Sequence, residues 1–166
     1  MVLMAQSGQI TAVNFGPQRL EALLGKPKDA TGLVIFAHGS GSGRLSPRNN
    51  EVADGLRQAG LATLLLDLLT PEEEQNRANV FDIPLLASRL IAAIDWAQAE
   101  SELEALRIGL FGASTGACYE RAAFLGWGTR GQNSNSNKEA KGWHIDPTVS
   151  LQRFSWRSPF WLPLRV

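Results

Sequence analysis

The chain has 166 residues, 44% of them hydrophobic and 19% charged, which is the composition of an ordinary globular protein with its own core. Its sixteen basic and sixteen acidic residues cancel, so no overall field would draw it to nucleic acid or to an anionic membrane. The N-terminus does not resemble a secretory signal, and no apolar run is long enough to suggest a membrane span. The single cysteine, Cys118, cannot form an internal disulfide, so we expect a cytoplasmic protein.

The first part of the chain alternates between strand and helix patterns. Two short, partly alternating runs, 9–14 and 20–24, flank Gly16-Pro17 and predict an antiparallel pair at a sheet edge. Continuous apolar runs are typical of parallel strands that are covered on both faces. Three such strands are predicted, at residues 33–37, 62–66 and 108–111.

Two helices are predicted between these strands. Residues 51–59 follow the capping pair Asn49-Asn50 and stop at Gly60. Residues 84–99 place apolar side chains at three- and four-residue steps, with Arg89 outside this stripe. The alternation of strand and helix predicts an α/β fold, a mostly parallel sheet with flanking helices.

The last part of the chain has a different character. Residues 132–137 form a polar Gln/Asn/Ser tract that cannot bury enough surface to order itself, and the residues from 143 onwards follow neither a strand nor a helix period. Four of the five tryptophans also lie beyond residue 117. We therefore divide the chain into an α/β part, residues 1–125, and an irregular tail, residues 126–166.

The strongest chemical signal is the pattern Gly112-Ala113-Ser114-Thr115-Gly116, directly after the last predicted strand. It matches a nucleophile elbow, in which glycines two residues either side of a serine allow a tight turn that lifts the hydroxyl above the sheet. The alternative is a glycine-rich turn without chemistry, which is common in α/β proteins. The pattern nominates Ser114 as a nucleophile.

A second pattern favours the chemical interpretation. The motif His38-Gly39-Ser40-Gly41-Ser42-Gly43 follows the predicted strand 33–37. In serine hydrolases of this kind a His-Gly loop supplies one backbone N–H to the oxyanion hole, and the residue after the nucleophile supplies the other. Ser40 and Thr115 are the predicted donors. His38 is predicted to brace the loop, with Gly39, Gly41, Gly112 and Gly116 supporting the two turns.

These motifs resemble those of the dienelactone-hydrolase-like α/β-hydrolases. The similarity also includes residues 46–49, 64–70 and 79–85, and it spans most of residues 8–117. It implies a serine nucleophile, a two-amide oxyanion hole and hydrolysis of an ester, lactone or related acyl bond in a small molecule. It implies neither a cofactor nor a metal ion.

The resemblance ends soon after Ala117. Family members carry an acid and then a histidine later in the chain, whereas here the histidine after Ser114 is His144 and the aspartate, Asp146, lies beyond it. Our hypothesis is that a frameshift or replacement altered the segment from about residue 117, leaving a truncated hydrolase. Weak or absent activity, and self-association through an uncovered sheet edge, are then expected.

Two other interpretations stay open. Strand 33–37, its glycine-rich loop and Asp67 at the end of the next strand are similar to a dinucleotide-binding unit, although the third glycine of that fingerprint is missing. The chain could also be a hydrolase remnant without catalysis. Asp67 itself is either a cap of the following turn or a catalytic group.

Overall fold

A computed structural model describes residues 8–39, 41–112 and 116 of the chain. Five strands form one sheet in the order β1-β2-β4-β3-β5. The strands are β1 Gln9–Phe15, β2 Leu20–Lys26, β3 Gly32–Ala37, β4 Ala62–Leu66 and β5 Arg107–Gly112. The helices are α1 Pro47–Gln58, α2 Pro71–Glu74, α3 Arg77–Val80 and α4 Ile83–Ala99.

The strands β1 and β2 form the predicted antiparallel pair. Their register runs from Gln9 opposite Lys26 to Phe15 opposite Leu20. In the connecting turn Gly16 has φ 67°, a left-handed conformation that glycine adopts without steric cost, and Arg19 N–H donates to its carbonyl oxygen at 3.1 Å. The pair is joined to the rest of the sheet through β2, which lies antiparallel to β4.

The other three strands are parallel, as predicted, with β3 between β4 and β5. The described sheet is therefore mixed, with two antiparallel and two parallel pairings. Every residue of β4 is buried, whereas β5 is only half-buried and begins at the exposed Arg107. The expectation that all three strands are fully covered is wrong for β5, which has one strand neighbour within the described part of the chain.

Side chains from alternate positions of the central strands enter two separate cores. On one face Ile35, Leu64 and Leu66 pack with the apolar stripe of α4. On the other face Phe36 and Leu65 pack with α1. Since successive side chains of a strand point to opposite faces, a continuous apolar run covers both faces of the sheet. The result is the predicted arrangement of helices on either side of a sheet.

The helix α1 begins four residues earlier than predicted. Its N-cap is Ser46, whose hydroxyl oxygen accepts a hydrogen bond from Asn49 N–H at 3.5 Å, and Pro47 occupies the first turn. The predicted capping pair Asn49-Asn50 lies inside the helix. Proline at the first helical position has no N–H to leave unpaired and a suitable φ, so Ser46-Pro47 is the stronger start signal.

The helix α4 matches its prediction except at one arginine. Leu86, Leu90 and the other stripe residues are buried. Arg89, predicted to lie outside the apolar stripe, is also buried, and its guanidinium lies 2.7 Å from the carboxylate of Glu73 on α2. A long side chain can follow an apolar surface and place its charge on a distant partner, so helical periodicity did not reveal this burial.

The short helix α2 has three glutamates, Glu72, Glu73 and Glu74, in its first turn. Thr70 caps it, and Glu73 completes a capping box through its own side chain. Hydrogen bonds from its own backbone N–H and from the Thr70 hydroxyl hold the pKa of Glu72 below its ordinary value. Carboxylates favour this helix end because the backbone N–H groups there have no partners within the helix.

Within the described ranges, no helix has both the length and the apolar composition that crossing a membrane requires.

The core predicts a contrast between two leucines. We expect Leu90→Ala, at a fully buried position of α4, to lower the free energy of unfolding by about 2 to 5 kcal/mol, because the cavity left behind is only partly filled. The same change at Leu45, which is 69% exposed, should cost no more than about 0.5 kcal/mol. Urea unfolding of both variants measures the difference. Equal losses at the two positions would show that the described core is wrong.

Candidate functional site

The register of β3 and β5 brings the two predicted motifs to one edge of the sheet. Phe36 is aligned with Phe111, and Ala37 with Gly112. The two phenyl rings are in contact, with centroids 5.0 Å apart. Because the strands are parallel, β3 and β5 end side by side at the same edge of the sheet. In open α/β sheets, ligands bind beyond this carboxyl edge.

Gly116 packs directly against the end of β3. A Cβ atom built at this position would lie 2.0 Å from the carbonyl oxygen of Ala37 and 3.3 Å from the carbonyl carbon of His38. Such distances leave no room for any side chain. The glycine at the end of the Gly-x-Ser-x-Gly pattern is therefore required by contact with the backbone that leads into the His-Gly motif.

The glycine-rich loop, residues 38–46, is described except at residue 40. His38 Nδ1 lies 3.0 Å from the carbonyl oxygen of Gly39, so the ring contacts the backbone of its own loop. Ser42 N–H donates to that same oxygen at 3.1 Å, and Ser46 N–H donates to Gly43. The loop is therefore folded by short-range hydrogen bonds, and the bracing role of His38 stays a prediction.

A charged cluster includes Arg44 of this loop and Asp67, which both line the cleft described below. One carboxylate oxygen of Asp67, at the end of β4, accepts from the backbone N–H of Arg44 at 2.8 Å. The other oxygen pairs with the guanidinium of Arg44, which also pairs with Glu21 on β2. Asp67 thus neither caps the turn that follows it nor has a free carboxylate oxygen, and it contacts the loop instead.

A cleft of about 560 Å³ opens in front of the loop. One wall is the glycine-rich loop with His38, and another is apolar, formed by Leu69, Val80 and Leu86. The helices α2 and α3 with the start of α4 supply this second wall. The volume is that of a small-molecule site.

The structure describes some of the predicted site residues and not others. His38, Gly39, Gly41, Gly112 and Gly116 are described, and the two motifs to which they belong adjoin each other. The nucleophile Ser114, the donors Ser40 and Thr115, and the tail residues His144 and Asp146 lie outside the described residues, as do Cys118 and the predicted tail. Among the described residues, no group of three or more His, Cys, Asp or Glu side chains could hold a metal ion.

Sequence reasoning overlooked Arg44 as a member of this site. Arg44 lies between the His-Gly motif, residues 38–43, and the segment 46–49, and it belongs to no recognised motif. The one available signal was Asp67 at the carboxyl end of a buried strand, on the edge where the loop after β3 must lie. An acidic residue there indicates a polar partner from a neighbouring loop, although not which one.

Solved structures with a similar fold are hydrolases. A dienelactone hydrolase from Anabaena variabilis is 51% identical, with a TM-score of 0.65 over 69% of this chain and 55% of that protein. Carboxyl esterase 2 from Tuber melanosporum is 20% identical, with a TM-score of 0.57 over 79% of this chain and 43% of that protein. The second similarity concerns the fold alone.

Curated relatives carry a different name. Two proteins of Mycobacterium tuberculosis, from strains CDC 1551 and H37Rv, are 58% identical over 102 residues, and their provisional name is phosphoribosyl transferase. The match covers 61% of this chain but only 23% of each relative. The chain therefore spans about a quarter of these relatives and about half of the Anabaena protein. No family model matches the chain.

The contact at Gly116 predicts an intolerance to any side chain there. We expect Gly116→Ala to lower the free energy of unfolding by about 1 to 3 kcal/mol, because the methyl group must displace the backbone at Ala37. Gly109→Ala, in β5, meets nothing within 4 Å and should change stability by no more than about 0.5 kcal/mol. Thermal and urea unfolding would measure both, and a neutral Gly116→Ala would contradict the described contact.

The geometry and the comparisons agree on the family. Helices cover both sides of the sheet, and β3 and β5, which lead into the predicted motifs, end beside each other. Half of the aligned residues are identical to those of a dienelactone hydrolase. The predicted resemblance is confirmed: the described part of the chain has the α/β-hydrolase fold and is dienelactone-hydrolase-like.

Proposed function

We propose that this chain is the nucleophile-bearing part of a serine hydrolase acting on an ester, lactone or related acyl bond. The observation that carries the proposal is the close packing of Gly116 on the Ala37 carbonyl. This contact puts the last glycine of the Gly-x-Ser-x-Gly motif against the start of the glycine-rich loop. A nucleophile and an oxyanion hole must adjoin in this way, because both act on one carbonyl group.

In the proposed reaction the Ser114 hydroxyl adds to the acyl carbonyl carbon. The carbonyl oxygen becomes an oxyanion, which accepts hydrogen bonds from the Ser40 and Thr115 N–H groups. Collapse expels the alcohol or opens the lactone and leaves an acyl-enzyme, which water then hydrolyses. The serine proton must pass to a base and from there to the leaving group.

After Ser114 the sequence has no aspartate that is followed by a histidine, which is the order of these residues in the family. His144 is followed by Asp146, whereas the triad of this fold runs serine, acid, histidine. A triad enzyme that loses its base keeps roughly 10³ to 10⁴ over the reaction in water, from the oxyanion hole and binding alone. We therefore propose weak turnover for this chain by itself.

The proposed substrate is a small acyl compound that fits the cleft. Leu69, Val80 and Leu86 would contact its apolar part, while the carbonyl group would face the glycine-rich loop. Self-association through β5, an edge strand of the described sheet, is part of the same proposal. So is a cytoplasmic location, as the sequence predicted.

Two competing functions have less support. The name of the M. tuberculosis relatives does not favour phosphoribosyl transfer here, because about three quarters of those proteins lies outside the match. A dinucleotide-binding module is disfavoured by the 51% identity to a dienelactone hydrolase, which a different family would not share.

Covalent labelling tests the nucleophile. We expect a fluorophosphonate probe to modify the full chain slowly and with saturation, and mass spectrometry should locate the adduct on Ser114. The Ser114→Ala variant should be unlabelled, because alanine has no hydroxyl that could attack the phosphorus atom.

The control is Ser88→Ala, since Ser88 is an exposed serine of α4 whose hydroxyl donates to the Leu85 carbonyl. Its labelling should equal that of the wild type. An adduct on another residue, equal labelling of Ser114→Ala, or no labelling after a day would each contradict the proposed nucleophile.

A further inference from the structure

Both oxygens of the Asp67 carboxylate are directed at one residue of the glycine-rich loop. One accepts from Arg44 N–H at 2.8 Å and the other pairs with the Arg44 guanidinium. The side chain of Asp67 is about one fifth exposed and that of Arg44 about one quarter, so water screens the pair only in part. Backbone and side chain of Arg44 are thus held by a single acidic group.

The residue before Arg44 is fitted to the same carboxylate. A Cβ atom built on Gly43 would lie 2.6 Å from Asp67 Oδ1, closer than real Cβ atoms approach an oxygen. A side chain at residue 43 would therefore require the Asp67 carboxylate to move away from Arg44.

The same arginine links the loop to β2, the strand beside β4. Its guanidinium bridges Asp67 and Glu21, and the backbone N–H of Asp67 donates to the Glu21 carbonyl oxygen at 2.9 Å. Arginine suits this position because its fork of donors can engage two carboxylates at once. The bridge ties the loop to both β4 and β2.

The segments on either side of residue 40 are also fixed. The Gly39 carbonyl accepts from Ser42 N–H, and the Arg44 carbonyl accepts from the Asn50 side chain at 2.8 Å. A displacement of Arg44 would therefore disturb the described contacts of this loop. The predicted oxyanion donor, Ser40, belongs to the same loop.

We propose that Asp67 is a positioning residue, which acts through Arg44 to hold the glycine-rich loop in the conformation that presents its N–H groups to an oxyanion. The inference rests on the proposed function and extends it to a residue that the motifs do not include. Asp67 is not a proton acceptor in this role, since both oxygens are already engaged. Its contribution is to fix the loop before substrate binds, so that no reorganisation is required during the reaction.

Asp67→Asn tests this role, because it keeps the shape and one acceptor oxygen and removes the charge that Arg44 requires. We expect amide hydrogen exchange in residues 41–46 to rise by roughly tenfold. We also expect the rate constant for fluorophosphonate attachment at saturating probe to fall on the order of ten- to a hundredfold, with the half-saturating concentration little changed. A misplaced oxyanion donor affects the reacting state more than binding.

Two further variants serve as controls for the Asp67→Asn experiment. Asp29→Asn makes the same chemical change at an exposed position between β2 and β3 and should alter neither measurement. Arg44→Lys keeps the positive charge but lacks the fork, so it should reproduce the loss seen in Asp67→Asn. If Asp67→Asn does not fold, the lysine variant decides the question.

The two measurements separate this proposal from the proposed function. Unchanged exchange in residues 41–46 would overturn it. Raised exchange with an unchanged attachment rate would also overturn it, because Asp67 would then have only a structural effect. If the wild-type chain does not react with the probe, the serine assignment fails. The exchange measurement still decides whether Asp67 controls the loop: raised exchange in Asp67→Asn supports this control, and unchanged exchange refutes it.

Discussion

The described structure depends on the parallel register between β3 and β5. A shift of one residue would move Phe36 from its core to the opposite face and separate Ala37 from Gly112, so burial of alternate side chains fixes the register strongly. The same register aligns the carboxyl ends of the two strands, from which the two predicted motifs continue. Gly116 then packs on the carbonyl oxygen of Ala37 at a distance that no side chain would allow. Hydrophobic burial in the sheet therefore determines where the candidate site can form.

Ion pairs also connect segments that the hydrophobic core brings near each other. The carboxylate of Asp67 and the guanidinium of Arg44 lie at the boundary between core and cleft, where each is partly desolvated. An unpaired charge there would be costly, so each group requires the other and their mutual geometry is well determined. Arg89 and Glu73 join α4 to α2 in the same way behind the apolar wall of the cleft. Both pairs connect distant segments through one short contact.

Much of this fold could be predicted from local patterns. The apolar runs located β3 and β4, and the stripe of α4 identified its buried face, because both depend on residues close in sequence. The start of α1 was misplaced, since Ser46-Pro47 competes with the capping residues Asn49-Asn50. The burial of Arg89 and the role of Arg44 could not be predicted. Each depends on an acidic partner that only the tertiary structure brings near.

The two halves of a serine hydrolase site have different origins in the chain. In the proposed site the oxyanion loop follows β3 and the nucleophile follows β5, and one register aligns the ends of these two strands. The acid and the base come from later segments and must be brought in by further pairing beyond β5. A change in the chain after Gly116 can therefore remove proton transfer and leave the first half of the site unaltered. The contacts that Asp67 makes with the glycine-rich loop, and that Gly116 makes at its start, are formed by residues up to 116.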